Sequence, residues 1–259
     1  MLNNENKQYH INVARGEVGR YCILPGDPGR CEKIAAFLDD PKEISYNREY
    51  CIWNGTLMGE TVTVCSTGIG GPSTAIAVEE LAACGADTFI RVGTCGGIAL
   101  DVKSGDAVIA TGAVRQDGTS HEYAPAEFPA VSHPDVLFAL IEAARSLDAP
   151  YHAGVVQSKD AFYGQHSPKN MPTSHALLAK WDAWKRLGVL ASEMEASTLF
   201  VVGATRALRT GAVFLSVWNQ ERYDAGLDTD ADECHDTSLP IKIAVDALKS
   251  LIKADKNLK

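Results

Sequence analysis

Two arginines stand where this chain has the makings of an anion site. Arg30 closes the run Pro25-Gly26-Asp27-Pro28-Gly29-Arg30, and Arg91 lies in Ile90-Arg91-Val92-Gly93-Thr94. A glycine-rich turn presents peptide N–H groups, a hydroxyl adds a donor, and a guanidinium offers a planar fork to an oxyanion such as phosphate. Arg91 falls inside an apolar run, where an unpaired charge is costly. It is therefore either bridged to a nearby glutamate or a ligand of an anion. The chain has no G-x-x-x-x-G-K-[ST], and no G-x-G-x-x-G follows a strand, so the common nucleotide fingerprints are excluded.

Two further clusters carry chemistry. Phe162-Tyr163-Gly164-Gln165 lies in a polar and aromatic loop over residues 159–168. An aromatic face can stack on a heterocycle while the glutamine amide offers its edge one donor and one acceptor. A solvent-facing connection explains the same composition. Glu193-Met194-Glu195-Ala196 places two carboxylates at a strand-to-helix junction. One helix N-terminus cannot satisfy both, and a sugar diol suits the other, because a carboxylate accepts from adjacent hydroxyls. No G-x-S-x-G elbow and no persuasive Ser-His-Asp or Cys-His arrangement supplies a protein nucleophile. His10, in a polar N-terminal arm, reads as a surface histidine, and Arg48 as a solvated charge.

The elements that must position these groups follow from periodicity. The β-branched residues 62–64 lead to a Gly68-to-Ser73 turn, then a helix over 74–84 that Gly85 ends. A strand over 88–92 runs into a second small-residue turn, 93–97. This is a βαβ unit, whose functional edge is the carboxyl end of its strands. Strand 21–24, the turn 25–30 and a helix over 31–38 repeat the theme. Turns are expected at Asn54-Gly55 and Met58-Gly59, with a hairpin around the latter. Further strands are expected at 106–111, 151–157, 189–192 and 210–217, and helices from 134, over 176–187, 197–207 and 239–252. The first nineteen residues are a poor candidate for core, and the acidic stretch 224–236 reads as a solvated loop.

The totals narrow the class. A length of 259 residues suits one large α/β domain or two small ones, and no linker divides it. A net charge of −9 argues against a nucleic-acid surface while leaving room for a local anion pocket. The seven cysteines show no C-x-x-C pair or metal spacing and read as packed thiols of a reducing, cytoplasmic compartment. The first ten residues lack a signal-peptide core, and no run approaches the roughly 18 uncharged apolar residues of a membrane span.

Taken together, these stretches, with Asn47-Arg48-Glu49 and Cys65-Ser66-Thr67-Gly68-Ile69-Gly70-Gly71-Pro72-Ser73, resemble the nucleoside phosphorylase superfamily. Within it they are most similar to the hexamer-forming bacterial uridine phosphorylases, and they fall in family order along nearly the whole chain. The resemblance implies a single domain, 1–259, built as a three-layer α/β/α sandwich around a mixed, partly barrel-like sheet. It implies phosphate held by Gly26, Arg30, Arg91 and Thr94, with Arg48 reaching in from a neighbouring subunit. His10, likewise from the neighbour, would meet the ribose 5′-hydroxyl. Met194 would lie under the ribose, Glu195 would hold its hydroxyls, and Phe162 and Gln165 would bind the base. Glu49, Ile69 and Ser73 match positions that hold a monovalent cation, K+, between subunits in some relatives. A hexamer assembled as a trimer of dimers, with shared sites and no organic cofactor, completes the expectation.

The departures fall at the base. Arginines that relatives carry after the glutamine and in the late strand are replaced by the His166-Ser167-Pro168 stretch and by Gln220. Lys159, similar to a lysine of a streptococcal branch, is the substitute donor, with Arg222 a further candidate. Asn219-Gln220 offers no aspartate to protonate a purine. The expected reaction is phosphorolysis of uridine to uracil and ribose 1-phosphate, a pyrimidine-salvage step in which Arg91, Thr94, Gln165 and Lys159 act on the transition state. The rivals are a purine nucleoside phosphorylase, a nucleosidase using water, and a non-catalytic nucleoside-binding protein.

Overall fold

The computed structural model describes residue 2 and residues 6–258. In chain order the first half contains β1 (Tyr21–Pro25), α1 (Cys31–Ala35), β2 (Asp39–Asn47), β3 (Tyr50–Leu57), β4 (Glu60–Cys65), α2 (Gly71–Cys84), β5 (Thr88–Gly97) and β6 (Ala107–Gln116). There follow α3 (Thr119–Tyr123), β7 (Ala130–Val131), α4 (Pro134–Ser146), β8 (Tyr151–Lys159), α5 (Phe162–His166) and α6 (Ser174–Arg186). The last elements are β9 (Ala191–Glu193), α7 (Ala196–Thr205), β10 (Arg209–Asn219), α8 (Gln220–Asp224) and α9 (Ser238–Asn257).

Among the described residues the strands form one mixed sheet in the order β10-β6-β8-β9-β5-β1-β4-β3-β2, with β7 beside β6. β10 also pairs with β5, which closes β10, β6, β8, β9 and β5 into a five-stranded ring. This is the partly barrel-like sheet that the sequence resemblance implies. Alternation along the strands builds two apolar layers. Cys22, Leu24, Phe89, Ala212 and Phe214 face a layer shared with α2 and α7, while Ile23, Ile90, Val92, Ile109 and Val213 face α1, α4 and α9. The sheet is thus covered on both sides, as its parallel centre, β10-β5-β1-β4, requires. α2 ends where Gly85 takes φ 117, a left-handed cap that costs glycine little. No helix among the described residues is long and apolar enough to cross a membrane.

Three expectations need correction. Residues 93–97 continue β5 instead of turning, because their glycines allow close packing: a Cβ on Gly93 would lie 2.8 Å from the Phe214 ring and one on Gly97 2.5 Å from Asn219 Nδ2. Asn54-Gly55 lies within β3, where Gly55 packs under Leu38 and the Asn54 amide bonds to Glu17 O and Thr63 Oγ1. Of the N-terminal arm, residues 1 and 3–5 lie outside the described residues. Its later part is core, with Ile11, Val13 and Val18 buried against α2 and its neighbours.

Candidate active site

β1, β4 and β5 run parallel, so their carboxyl ends bring Gly26, Thr67 and Arg91 together. A Cβ on Gly26 would stand 3.2 Å from Gly68 O and 3.4 Å from an Arg91 Nη, so the guanidinium lies directly against the β1 turn. Arg91 is only 4% exposed. Its Nη1 donates to Thr67 Oγ1 at 3.3 Å and its Nη2 to Glu195 Oε2. Its buried Nε makes no hydrogen bond and has the Glu193 carboxylate as its nearest ionic neighbour, Oε2 lying 3.9 Å away. A buried N–H of that kind is expensive unless an acceptor meets it, and a phosphate oxygen would. Arg30, half-buried beside it, has its pKa pushed down, first by burial and also by the charge of Arg91, against the pull of Asp27. An anion between two poorly solvated guanidiniums relieves both. Thr94 lies half-buried farther along β5, opposite Leu215.

The two carboxylates divide as the sequence requires. Glu193 caps α7, accepting from the backbone N–H groups of Glu195 at 2.8 Å and Ala196 at 2.9 Å, and from the Ser158 hydroxyl. Burial raises its pKa, and the neighbouring charge of Glu195 raises it further. Glu195 turns the other way, accepting from Gly70 N at 2.6 Å and from Arg91. The residue assigned to the ribose is therefore held by the residue assigned to the phosphate. Met194 sits half-buried between them.

The residues expected to bind the base lie on β8 and α5 and meet β9. A cavity of about 710 Å3 is lined by Gln116, Gln157, Lys159, Gln165, Trp181 and Trp184 among others, a size usual for a small-molecule site. Lys159 is 5% exposed, its Nζ donating to Ser192 Oγ at 2.7 Å and lying 5.9 Å from the centre of the Phe162 ring. Burial lowers its pKa to about 8, with Glu193 and Glu195 opposing the shift. Phe162 stacks on His166, ring centres 4.2 Å apart, and is 47% exposed. Gln165 reaches the same Ser192 hydroxyl. Arg222 is a correction. Its Nε and Nη2 form a paired contact with Asp228 at 2.7 Å, and its Nη1 donates to Leu100 O. This guanidinium is committed to anchoring the loop after α8 and is no base donor.

His10 and Arg48 form a separate cluster. His10 Nδ1 is 2.7 Å from Glu80 Oε1, its backbone carbonyl accepts from Asn47 Nδ2, and its ring meets Tyr9 edge-on. Arg48 lies exposed over the same Tyr9 ring, at 5.8 Å. Among the described residues no hydrogen bond or ion pair joins either to Arg91 or Glu195. On the adjoining surface, the point above Gly68 lies 3.0 Å from Glu49 Cγ and 3.4 Å from Ser73 Oγ, which itself donates to Ile69 O. The side chains of Glu49 and Ser73 thus pack against the Gly68 turn beside the Ile69 carbonyl.

With this geometry in hand, the comparisons are direct. Residues 20–249 match the model of the Phosphorylase superfamily. The chain belongs to that superfamily. It is 53% identical over 248 residues to the uridine phosphorylase of Treponema pallidum, covering 96% of this chain and 95% of that one. It is 39% identical over 250 residues to the uridine phosphorylase of Escherichia coli, covering 94% and 98%. It is also 40% identical over 250 residues to a guanosine phosphorylase of Halorubrum lacusprofundi, covering 95% and 99%.

Sequence alone does not reveal the polar cluster beside this cavity. Gln116, Gln157, Ser192 and Trp184 come from four separate elements, and the only local signal is the polar run Gln157-Ser158-Lys159 at the end of an apolar strand. Glu80, the anchor of His10, lies 70 residues away in sequence, so no local pattern links the two.

Proposed function

We propose that the chain is a uridine phosphorylase, cleaving uridine with phosphate to uracil and ribose 1-phosphate. The observation that carries the reading is the buried Arg91 guanidinium, set between the Gly26 turn and Glu195 with an N–H to spare. The named relatives agree with it. Phosphate binds Arg30, Arg91, Thr94 and the Gly26 amide, and takes over part of the hydrogen bonding that Arg91 gives to Glu195. Glu195 is thereby released toward the ribose hydroxyls. As the C1′–N1 bond breaks, its electron pair leaves with the base, and positive charge grows on the sugar. A phosphate oxygen then bonds to C1′ from the opposite face. Lys159 stabilises the developing charge on a uracil carbonyl oxygen while Phe162 and Gln165 hold the ring. Catalysis is positioning and electrostatics, without a protein nucleophile. Phosphorus NMR of uridine with phosphate tests this: ribose 1-phosphate should appear as uracil is released, and free ribose instead would reject it.

The guanosine phosphorylase relative gives a purine reading one specific support. Against it, Asn219 is fully buried, its amide donating to Ala99 O and Val102 O and its oxygen capping α8, so nothing there can protonate a purine.

The same proposal extends to assembly. The whole chain acts as one domain in the cytoplasm, in a hexamer built as a trimer of dimers, with His10 and Arg48 completing a neighbour's site. Glu49, the Ile69 carbonyl and Ser73 would hold K+ at that subunit boundary; replacing potassium by tetramethylammonium should then lower the melting temperature, and no change would remove the ion. Mixing inactive Arg91→Ala and Arg48→Ala subunits should restore some activity on subunit exchange. A fully active monomer on sedimentation would contradict sharing.

A further inference from the structure

The Gln165 amide has two orientations a half-turn apart, and a base meets opposite chemistry in each: an oxygen that accepts or an NH2 that donates. The groups behind it select between them. Trp184 Nε1 lies 3.2 Å from Gln116 Oε1, and an indole N–H can only donate, which fixes the Gln116 oxygen on that side. The same oxygen is 2.8 Å from Gln157 Nε2, which donates to it. Gln157 Oε1 is thereby left 2.5 Å from Ser192 Oγ, and the hydroxyl must supply the hydrogen. Lys159 Nζ, 2.7 Å from that hydroxyl, is an ammonium at neutral pH and also only donates. Ser192 thus spends its single hydrogen on Gln157. Gln165 Oε1 at 2.7 Å would be a second acceptor with no hydrogen to share, so the half-turn that brings Nε2 to Ser192 is the one the network satisfies. Ser192 and Gln157 are 2% and 3% exposed, so water does not rescue a mismatched pair.

We propose that Trp184, Gln116, Gln157 and Ser192 form a one-way hydrogen-bond relay that holds Gln165 with its oxygen toward the base. Such a site selects bases with a ring N–H beside a carbonyl, as in uracil, over bases whose ring nitrogen is itself an acceptor there, as in cytosine. These are positioning residues: they set the polarity of Gln165 without touching the reacting atoms. The inference rests on the nucleoside-phosphorylase reading for the location of the base.

The test compares uridine with cytidine, by calorimetric binding without phosphate and by turnover with it, in wild type, Trp184→Phe, Gln116→Leu and Gln116→Glu. Wild type should prefer uridine in both assays. Trp184→Phe and Gln116→Leu free the relay to reverse, and the uridine-to-cytidine preference should fall about tenfold, as expected for one mismatched buried hydrogen bond. Gln116→Glu keeps an acceptor facing both Trp184 and Gln157 and should retain the preference, which a packing role would not explain. Equal preference in all four proteins, or equal loss in Gln116→Glu and Gln116→Leu, overturns the relay. Binding preference that follows the relay without formation of ribose 1-phosphate keeps the relay and removes the phosphorylase reading. Uridine phosphorolysis with variant-independent preference does the reverse.

Discussion

The two ends of the site are built differently. At the phosphate and ribose end, Arg91, Glu193 and Glu195 are all 4% exposed or less and are fixed by strand ends and the start of α7. At the base end the walls are α5 and α6; Phe162 is 47% exposed, and α6 buries no residue at all. Phosphate and ribose are the same in every nucleoside reaction of this kind, so their ligands can be held rigidly in low dielectric, where preorganised charge acts most strongly. The base varies, and the outer walls around it, α5 and α6, sit on a less buried part of the fold than the Lys159, Gln157 and Ser192 floor behind them. Relatives named for uridine and for guanosine match nearly the whole chain, as expected if they share the rigid end and differ at the loose one.

Breaking the rigid end should have the largest effect. Arg91→Ala removes a preorganised donor and leaves Glu195 buried without its partner; turnover of uridine should fall by about 10²- to 10³-fold or more. Near-normal phosphate dependence in a folded variant would show that the arginine serves structure alone.

At the loose end the effect should be smaller and pH-dependent. A charge-assisted hydrogen bond of roughly 2–3 kcal/mol, made only in the transition state, corresponds to about 30- to 150-fold in rate, the loss expected for Lys159→Ala. Lys159 is charged below its lowered pKa of about 8 and neutral above it. Wild-type turnover of uridine should therefore decline as pH rises through about 8, a limb that Lys159→Arg, charged throughout, should lack while keeping most of the activity. Equal efficiencies for wild type and Lys159→Ala would take the lysine out of the reaction.

The smallest effect sharpens the boundary of the site. Arg222→Ala breaks the contact with Asp228 and Leu100 O and should lower the melting temperature by a few degrees. Uridine turnover at 25 °C should stay within about threefold of wild type, the scale of a change outside the chemistry. A selective loss of uridine turnover without a stability change would return Arg222 to the base site.

The same division governs what the sequence reveals. The phosphate end is legible because glycine turns, strand-end arginines and the Glu-Met-Glu junction are local patterns. Of the two alternatives for Arg91, the pairing with a glutamate is the one present, with Glu195. Helices α2, α4, α7 and α9 and strands β1 and β10 are equally plain, being continuous apolar periodicities. Glycine misleads at Gly55 and over residues 93–97, where it signals tight packing between strands and not a turn. The base floor is not legible, because its polarity depends on Gln116 of β6, Gln157 of β8, Trp184 of α6 and Ser192 of β9 meeting in space. Arg222 illustrates the converse: a guanidinium near the right place in the chain, already claimed by Asp228.

The central claim is that this site transfers the ribosyl group of a pyrimidine nucleoside to phosphate, and a nucleoside panel assayed with and without phosphate tests it most directly. Uridine should be consumed only when phosphate is present, faster than inosine or guanosine, with uracil and ribose 1-phosphate formed in equal amounts. Uridine cleavage that is indifferent to phosphate, or a preference for the purine nucleosides, would contradict it.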